Sequence, residues 1–464
     1  MNALLRDPGS FRDPSGSVYR SGDRILRTVM PGSASEAYRA ARDSGLLKDL
    51  AARGLILPVE EIATPPFEAI AGAAHVLASP RLPFISYPYE WSFALHRKAA
   101  LLHLDLHLAA LERGFDLSDA SAYNVQFQGA SPVFIDHLSL RPYREGAVWA
   151  GHRQFCMQFL NPLLCHTLLR IAPNSLFRGT LEGIEPEFLA PLIPLRKKLS
   201  WTVLVHVVMQ AALQHRASGQ RPAARKKLRS VSVSKVAFAS MLQGLRRAIA
   251  AMKAPGGATV WSDYAQCNSY GAAEADAKRR FVQDMVSKAR PRQLVDLGCN
   301  SGDYSEAALE AGAGQVIGFD FDHGALDLAA ARAEAKKLDF LPLWLDAANP
   351  SPSQGWKQSE RLGLAERLNA DAIIALALVH HLAIARNIPL DAVVDWIVGM
   401  APVGVIECPD KSDPMVQQLL ALREDIFAGY DHEHFVDHIA RRARIVRQEK
   451  LGQGSRLLVW FDRS

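Results

Sequence analysis

From about residue 259 onward the chain alternates short, almost continuous apolar runs with stretches of helical period. "QLVDLG", "QVIGFDFD", "LPLWLDAA", "ADAIIALAL" and "PVGVIECP" read as strands; "YSEAALEAG" and "ALDLAAARAEAKKL" read as helices between them. Strands that are apolar on both faces belong in a parallel sheet covered by helices on both sides. The closing "ARIVRQEKLGQGSRLLVWFDR" reads as a hairpin, which gives this doubly wound, mostly parallel α/β sheet an antiparallel edge.

Residues 1–200 carry a different pattern, the mixed strands and helices of an α+β domain. "SVYRSGDRILRTV" predicts a hairpin about Ser21-Gly22-Asp23, and "EAYRAARDSGLLKDLAARG" a helix. "FALHRKAALLHLDLHLAALERG" predicts a long apolar helix stopped at Arg113-Gly114. "NVQFQGASPVFIDHLSL" predicts two short strands turning at Gln128-Gly129. Between the two halves, residues 201–258 read as a helical linker, with "ASGQRPAARKK" as an exposed loop. The expected division is therefore 1–200, 201–258 and 259–464, with no internal repeat.

Composition leaves this picture in place: 49% hydrophobic and 22% charged residues suit a soluble globular protein. Charge alters the reading of the middle. No Asp or Glu occurs between Glu187 and Asp263, whereas Lys and Arg occur there thirteen times, so a formal net charge of +5 conceals two mildly acidic flanks. A basic stretch without interleaved aromatics favours a solvated linker face over nucleic-acid binding. The five cysteines, Cys156, Cys165, Cys267, Cys299 and Cys408, form no CxxC, which points away from a disulfide framework or a structural zinc site. The start, "MNALLRDPGSFRDPSG", lacks a signal-peptide core, and the apolar "WTVLVHVVMQAALQH" is too short to span a bilayer. A reducing, cytoplasmic location with no membrane partner is the expectation.

"VDLGCNSGDYSEAAL" contains the most informative chemistry. In an open α/β sheet, ligands bind beyond the carboxyl ends of the strands, and the turn after the first strand must let backbone approach the ligand. Gly298 and Gly302 bracket that turn, and Asn300 between them is the residue type that tolerates left-handed angles best after glycine. Asp320 ends the second strand, at a distance that suits ribose hydroxyls. Asp346, beside Ala347, ends the third and could accept from an adenine amino group.

Asp296, Gly298 and Gly302 match the D-x-G-x-G-x-G motif, so residues 259–464 resemble a class I S-adenosylmethionine-dependent methyltransferase with a Rossmann-like sheet. Asn300 departs at the middle glycine, and the closing hairpin is similar to that family's last two strands. The resemblance implies S-adenosyl-L-methionine as cofactor. Asp296 and Gly298 would approach its methionine, with Asn300 and Gly302 in the same cofactor-binding turn, Asp320 would lie at the ribose, and Asp346, beside Ala347, at the adenine. Tyr264 and Tyr270 in "WSDYAQCNSYG" would lid the methionine, aromatic packing of a linker being the other reading. "ALALVHHLAI" follows the fourth strand, which offers His380 and His381 as catalytic base or substrate-orienting pair; packing of one histidine stands equally open. The Asn-Pro-Pro-Tyr type of motif is absent, so the acceptor atom is not indicated.

The first half contains a second spacing. Asp119 and Asn124 are five apart as in H-R-D-x-x-x-x-N, and Asp136 stands where the metal-binding Asp of D-F-G would be. Residues 15–200 thus resemble the protein-kinase and aminoglycoside-phosphotransferase superfamily in degenerate form. Leu117-Ser118 replaces His-Arg, Ser121 replaces the usual Lys or His, His137-Leu138 replaces Phe-Gly, no full glycine-rich loop is present, and Arg27 takes the place of the strand lysine. An unrelated α+β domain with chance acids is the competing reading. His103/His107 and His434/His438 are i, i+4 pairs without a third ligand, and no metal site is expected. The combined expectation is a methyltransferase acting on a small-molecule, glycan or protein acceptor that the first half positions. A phosphotransferase, or a binding protein with a vestigial methyltransferase fold, is the alternative.

Overall fold

The computed structural model describes residues 4–63, 70–219, 232–255, 272–421, 423–451 and 454–464. Tyr264, Tyr270, Cys267 and most of the basic loop (220–231) lie outside them. The chain divides into two compact units, Met1–Gly256 with Gln354–Arg361, and Gly257–Ser353 with Leu362–Ser464. No helix among the described residues is long and apolar enough to cross a membrane.

The first unit opens with an antiparallel five-stranded sheet of order β1-β2-β3-β5-β4. Its strands are β1 (Leu5–Arg6), β2 (Val18–Ser21), β3 (Arg24–Val29), β4 (Glu60–Ile62) and β5 (His75–Pro80). β2 and β3 form the expected hairpin, turning at Gly22 with φ +62°. The single helix expected over 36–54 is two helices, Ser33–Asp43 and Leu46–Ala52, because Gly45 takes φ +74° and breaks the hydrogen-bond ladder. The long apolar helix spans Phe93–Glu112, with Ser92 accepting from Leu95 N at its start. Two small antiparallel pairs follow: β6 (Phe115–Leu117) with β9 (Leu140–Pro142), and β7 (Val125–Gln128) with β8 (Ser131–Phe134).

The linker expectation for 201–258 meets a correction within the described part. Helix Lys235–Ala250 buries Phe238, Leu242, Leu245 and Ile249, one face at helical spacing. It packs on Phe93–Glu112, where Arg246 pairs with Asp105, and Arg97 Nη1 donates to Met252 O at 2.8 Å. The compact unit accordingly runs to Gly256 rather than 200. The basic charge of this stretch masked an ordinary amphipathic helix.

The second unit is a seven-stranded sheet of order β12-β11-β10-β13-β14-β16-β15. β10 (Gln293–Leu297), β11 (Gln315–Asp320), β12 (Phe340–Trp344), β13 (Ala372–Ala375) and β14 (Val403–Pro409) run parallel. β16 (Arg456–Asp462) is antiparallel to β14 and to the edge strand β15 (Arg444–Leu451). The doubly wound sheet with an antiparallel edge is as the sequence pattern predicts. Strand order reverses at β10, which makes the space beyond the β10 and β13 carboxyl ends the topological switch point. Close packing there rests on glycine: a Cβ on Gly302 would stand 2.5 Å from Phe340 Cε1, and one on Gly318 2.6 Å from Phe340 Cε2.

Candidate functional site

At the switch point lies a cavity of 460 Å³, in the usual range for small-molecule sites. Gly298, Asn300, Asp320, Asp346, Ala347 and His381, all singled out from sequence, line it. The turn after β10 is built as its residue types require. Gly298 has φ +81°, Gly302 +85°, and Asn300 itself +46°. The turn is held by the second strand: Gly298 N and Cys299 N both donate to Phe319 O, at 2.8 and 3.0 Å, and Asn300 N donates to Asp320 Oδ2 at 2.9 Å. A Cβ on Gly298 would meet no protein atom nearer than 3.6 Å (Leu376 O), so glycine is demanded there by backbone angle rather than by protein crowding.

The acids separate into two groups. Asp320 faces the cavity while its Oδ1 accepts from Asp322 N at 2.9 Å, and burial raises its pKa. Asp346 lies just past the end of β12, lines the cavity and pairs with Arg386, whose Nη2 stands 3.3 Å from Oδ2. Asp296, in contrast, is not a lining residue. It is buried beneath the turn, accepts from Ser305 Oγ at 2.6 Å, and burial pushes its carboxyl up to about 7. Gly302 also lies off the cavity, as the left-handed residue that starts helix Asp303–Glu310. Both serve the turn from behind it.

The histidine pair divides in the same way. His381 lines the cavity, and burial lowers its pKa to about 4, which keeps the imidazole neutral. His380 is buried, lies outside the lining, and packs against His381 with ring centroids 4.0 Å apart and planes tilted by 41°. Its position suits support of His381 rather than contact with a ligand.

Sequence reading missed the charge network behind the cavity. Lys278 and Glu407, 2% and 0% exposed, form an ion pair at 2.7 Å, and Lys278 lines the cavity. Arg456 donates to Glu407 at 2.9 Å and to Asp413 at 2.7 Å. Burial acts against Glu407, but Lys278 and Arg456 hold its carboxyl below the usual range. Its Oε2 accepts from Ala377 N at 3.0 Å, which anchors a residue with φ +51° on the wall facing Gly298. A non-glycine residue held in that region marks strain stored at the site. The available signal was Glu407 itself, a charge inside the apolar run "VGVIECP" that had to find a buried partner.

The second spacing also converges, in the first unit. Asn124 Nδ2 donates to Asp119 Oδ2 at 2.9 Å and approaches Asp136 Oδ2 at 3.5 Å. Burial and the neighbouring Asp136 raise the Asp119 pKa. Arg27 on β3 pairs with Asp136 Oδ1. His137 is occupied structurally, bonding Leu57 O through Nε2 at 2.7 Å. His103 and His107 pack among aromatic rings of the core, including Trp149, and His107 Nε2 bonds Asp116. Cys156, Cys165, Cys299 and Cys408 are buried free thiols.

No family model matches the chain. Nodulation protein NoeA of Rhizobium meliloti (strain 1021) is 44% identical over 461 residues, 99% of this chain and 96% of that protein. Ribosomal protein L11 methyltransferase of Shewanella sp. (strain W3-18-1) is 40% identical over 60 residues, 13% of this chain and 20% of that enzyme. Among solved structures, N-methyltransferase NodS from Bradyrhizobium japonicum WM9, in complex with S-adenosyl-l-homocysteine, is 12% identical. That match covers 42% of this chain and 89% of NodS, at a TM-score of 0.32. Scores this low leave the fold to rest on the strand order itself.

Proposed function

We propose that this chain, which belongs to the family of nodulation protein NoeA, is an S-adenosyl-L-methionine-dependent methyltransferase whose cofactor occupies the 460 Å³ cavity. The observation that carries the reading is Asp320, which ends β11 at the cavity and is tied to the left-handed turn at Asn300. The residues fit the cofactor. Asp320 offers carboxylate lone pairs to ribose hydroxyls, and Gly298 leaves room for close backbone approach. Asp346, which lines the same cavity beside Ala347, offers an acceptor for an adenine amino group in this reading. The partial likeness to a ribosomal protein methyltransferase agrees.

S-adenosyl-L-methionine supplies an electrophilic methyl group on a sulfonium. The protein's share is to hold a nucleophilic atom in line with it and to remove a proton where the acceptor carries one. His381, neutral in its buried position, is the base or orienting group in this reading, with His380 packed behind it. The acceptor is a small molecule, a glycan or a protein side chain, and the relative's name suggests one connected with nodulation.

The first unit is read as a platform that positions the acceptor. In this reading the kinase resemblance marks a repurposed domain, because Arg27 pairs with Asp136, the carboxylate that a metal-nucleotide would need. The assembled Asp119–Asn124–Asp136 group keeps phosphoryl transfer as the second reading. Calorimetry on the full-length protein separates them. Binding of S-adenosyl-L-methionine without binding of Mg-ATP is expected; ATP binding alone, with hydrolysis lost in Asp136→Asn, would reverse the assignment.

A further inference from the structure

A cluster outside both constellations has the composition of a metal centre. We infer that His152, Cys156 and His206 of the first unit bind a divalent zinc ion that clamps two helical segments together. Nitrogen and sulfur atoms of these three side chains lie within 4.8 Å of one another, the largest such grouping of ligating side chains found among the described residues. Two imidazoles and a thiolate are the donor set that selects zinc over magnesium or calcium. Cys156 and His206 are buried and His152 is half-buried, so the set is enclosed rather than a chance surface pair.

The backbone is adapted to this grouping. His152 and Cys156 are one helical turn apart on a segment that changes from α-helix (His152–Phe155) to π-helix (Cys156–Leu160). His206 lies in a second π-helical turn, Leu204–Val208. Single π turns cost hydrogen-bond geometry and concentrate at functional sites; here two of them carry two of the three ligands.

Without an ion, the nitrogens share a proton: His152 Nε2 stands 2.8 Å from His206 Nδ1. Gln210 Nε2 lies 2.9 Å from His152 Nδ1 and 3.5 Å from Cys156 Sγ, and Gln210 Oε1 is buried without a hydrogen-bond partner. When zinc enters between the two nitrogens, the proton they shared moves through solvent to a ring nitrogen turned away from the ion, and the Cys156 thiol releases its proton to solvent. Both rings stay neutral, with His152 protonated on Nδ1 and His206 on Nε2. Turning the Gln210 amide end for end brings Oε1 to accept from that Nδ1–H, the second-layer contact that fixes a ligand histidine. A fourth ligand from solvent would complete the coordination that zinc prefers.

The clamp has a mechanical consequence. The same helical segment holds the loop that carries Asp119 and Asn124: Gln154 Oε1 accepts from Ala120 N at 2.9 Å, and Gln158 Oε1 from Ala122 N at 2.8 Å. An ion at His152 and Cys156 therefore fixes the support of that loop.

The test is metal analysis of the full-length protein after zinc loading and gel filtration, with cobalt substitution as the spectroscopic probe. Wild type should retain about one zinc per chain and, with cobalt, show a thiolate-to-metal charge-transfer band. Cys156→Ser should lose the band, and His206→Gln should weaken zinc binding at least tenfold in competition with a chelator. Gln210→Ala, which removes no ligand, should weaken it less. Circular dichroism of each variant establishes that it is folded. Zinc retention no greater than that of folded Cys156→Ser, or a cobalt spectrum unchanged by that substitution, overturns the assignment and leaves a hydrogen-bonded histidine pair in a core.

Discussion

The backbone N–H of Asn300 donates to Asp320 Oδ2 at 2.9 Å, so the turn after β10 and the acid ending β11 are a single unit. Asp320 thereby has two tasks. It shapes the turn through Asn300 and Asp322, and it presents its remaining lone pairs to the cavity.

Asp320→Ala should weaken S-adenosyl-L-methionine binding by roughly 1–3 kcal/mol, since it removes an acceptor and leaves two backbone donors unpaired. Asp320→Asn keeps the shape with one acceptor oxygen and should lose less. Titration calorimetry of both variants checks the order; wild-type affinity in a folded Asp320→Ala protein would move the cofactor elsewhere.

The two special backbone positions should respond oppositely. Asn300→Gly is expected to stay within about 1 kcal/mol of wild-type stability, because glycine accepts φ +46° readily. Asn300→Val should cost about 1–2 kcal/mol for a Cβ-branched residue in the left-handed region. Gly302→Ala should cost about 1–3 kcal/mol, because its Cβ lands 2.5 Å from the Phe340 ring. Denaturant midpoints at constant slope measure all three.

Asp296 should make the second unit less stable as pH rises. Its folded-state pKa, about 7, lies above the unfolded value near 3.9, so its favourable contribution is full below that value and lost as pH passes through 7. Asp296→Asn removes the titration while keeping an acceptor for Ser305. The stability of Asp296→Asn relative to wild type should therefore increase by on the order of 2 kcal/mol between pH 5 and pH 8. A constant difference across that interval would show that Asp296 is ionised in the fold.

His381 should contribute to turnover without a titration near its ordinary pKa. With the group held at about 4, the enzyme retains a neutral imidazole from pH 8 down to 5.5. Once an acceptor is in hand, kcat for His381→Ala should fall by roughly 100-fold, the lower range for a positioned base, with S-adenosyl-L-methionine affinity little changed. Undiminished kcat would return His381 to a packing role.

Acid should unfold the first unit early. Burial lowers His96, His137 and His166 to about 4 and His103 to about 3. Below pH 6.5 the unfolded chain takes up protons that these folded histidines refuse, so stability present above 6.5 is lost as pH falls towards 4. Each forfeits about 1.4 kcal/mol one unit below 6.5. Circular dichroism across pH 7 to 4 should show cooperative loss above pH 4.5, and His103→Phe should shift that loss to lower pH.

Sequence by itself determined the strands of the second unit and the turn after the first of them. Apolar runs of strand length, helical periods, and glycine or asparagine at left-handed positions depend on neighbours along the chain. The β10–β16 sheet, Asn300 at φ +46° and the cavity acids Asp320 and Asp346 were legible for that reason. Only tertiary structure decided which of two similar residues meets the cavity, separating His381 from His380 and Asp320 from Asp296. It alone joined Gln354–Arg361 to the first unit, where Glu360 receives Arg12 and Arg361 lies over Tyr123. It also assembled Lys278, Glu407, Arg456 and Asp413, and brought His206 to His152 and Cys156. Burial and pairing arise between segments far apart in sequence, and desolvation of a charge or convergence of ligands leaves no periodic trace along the chain.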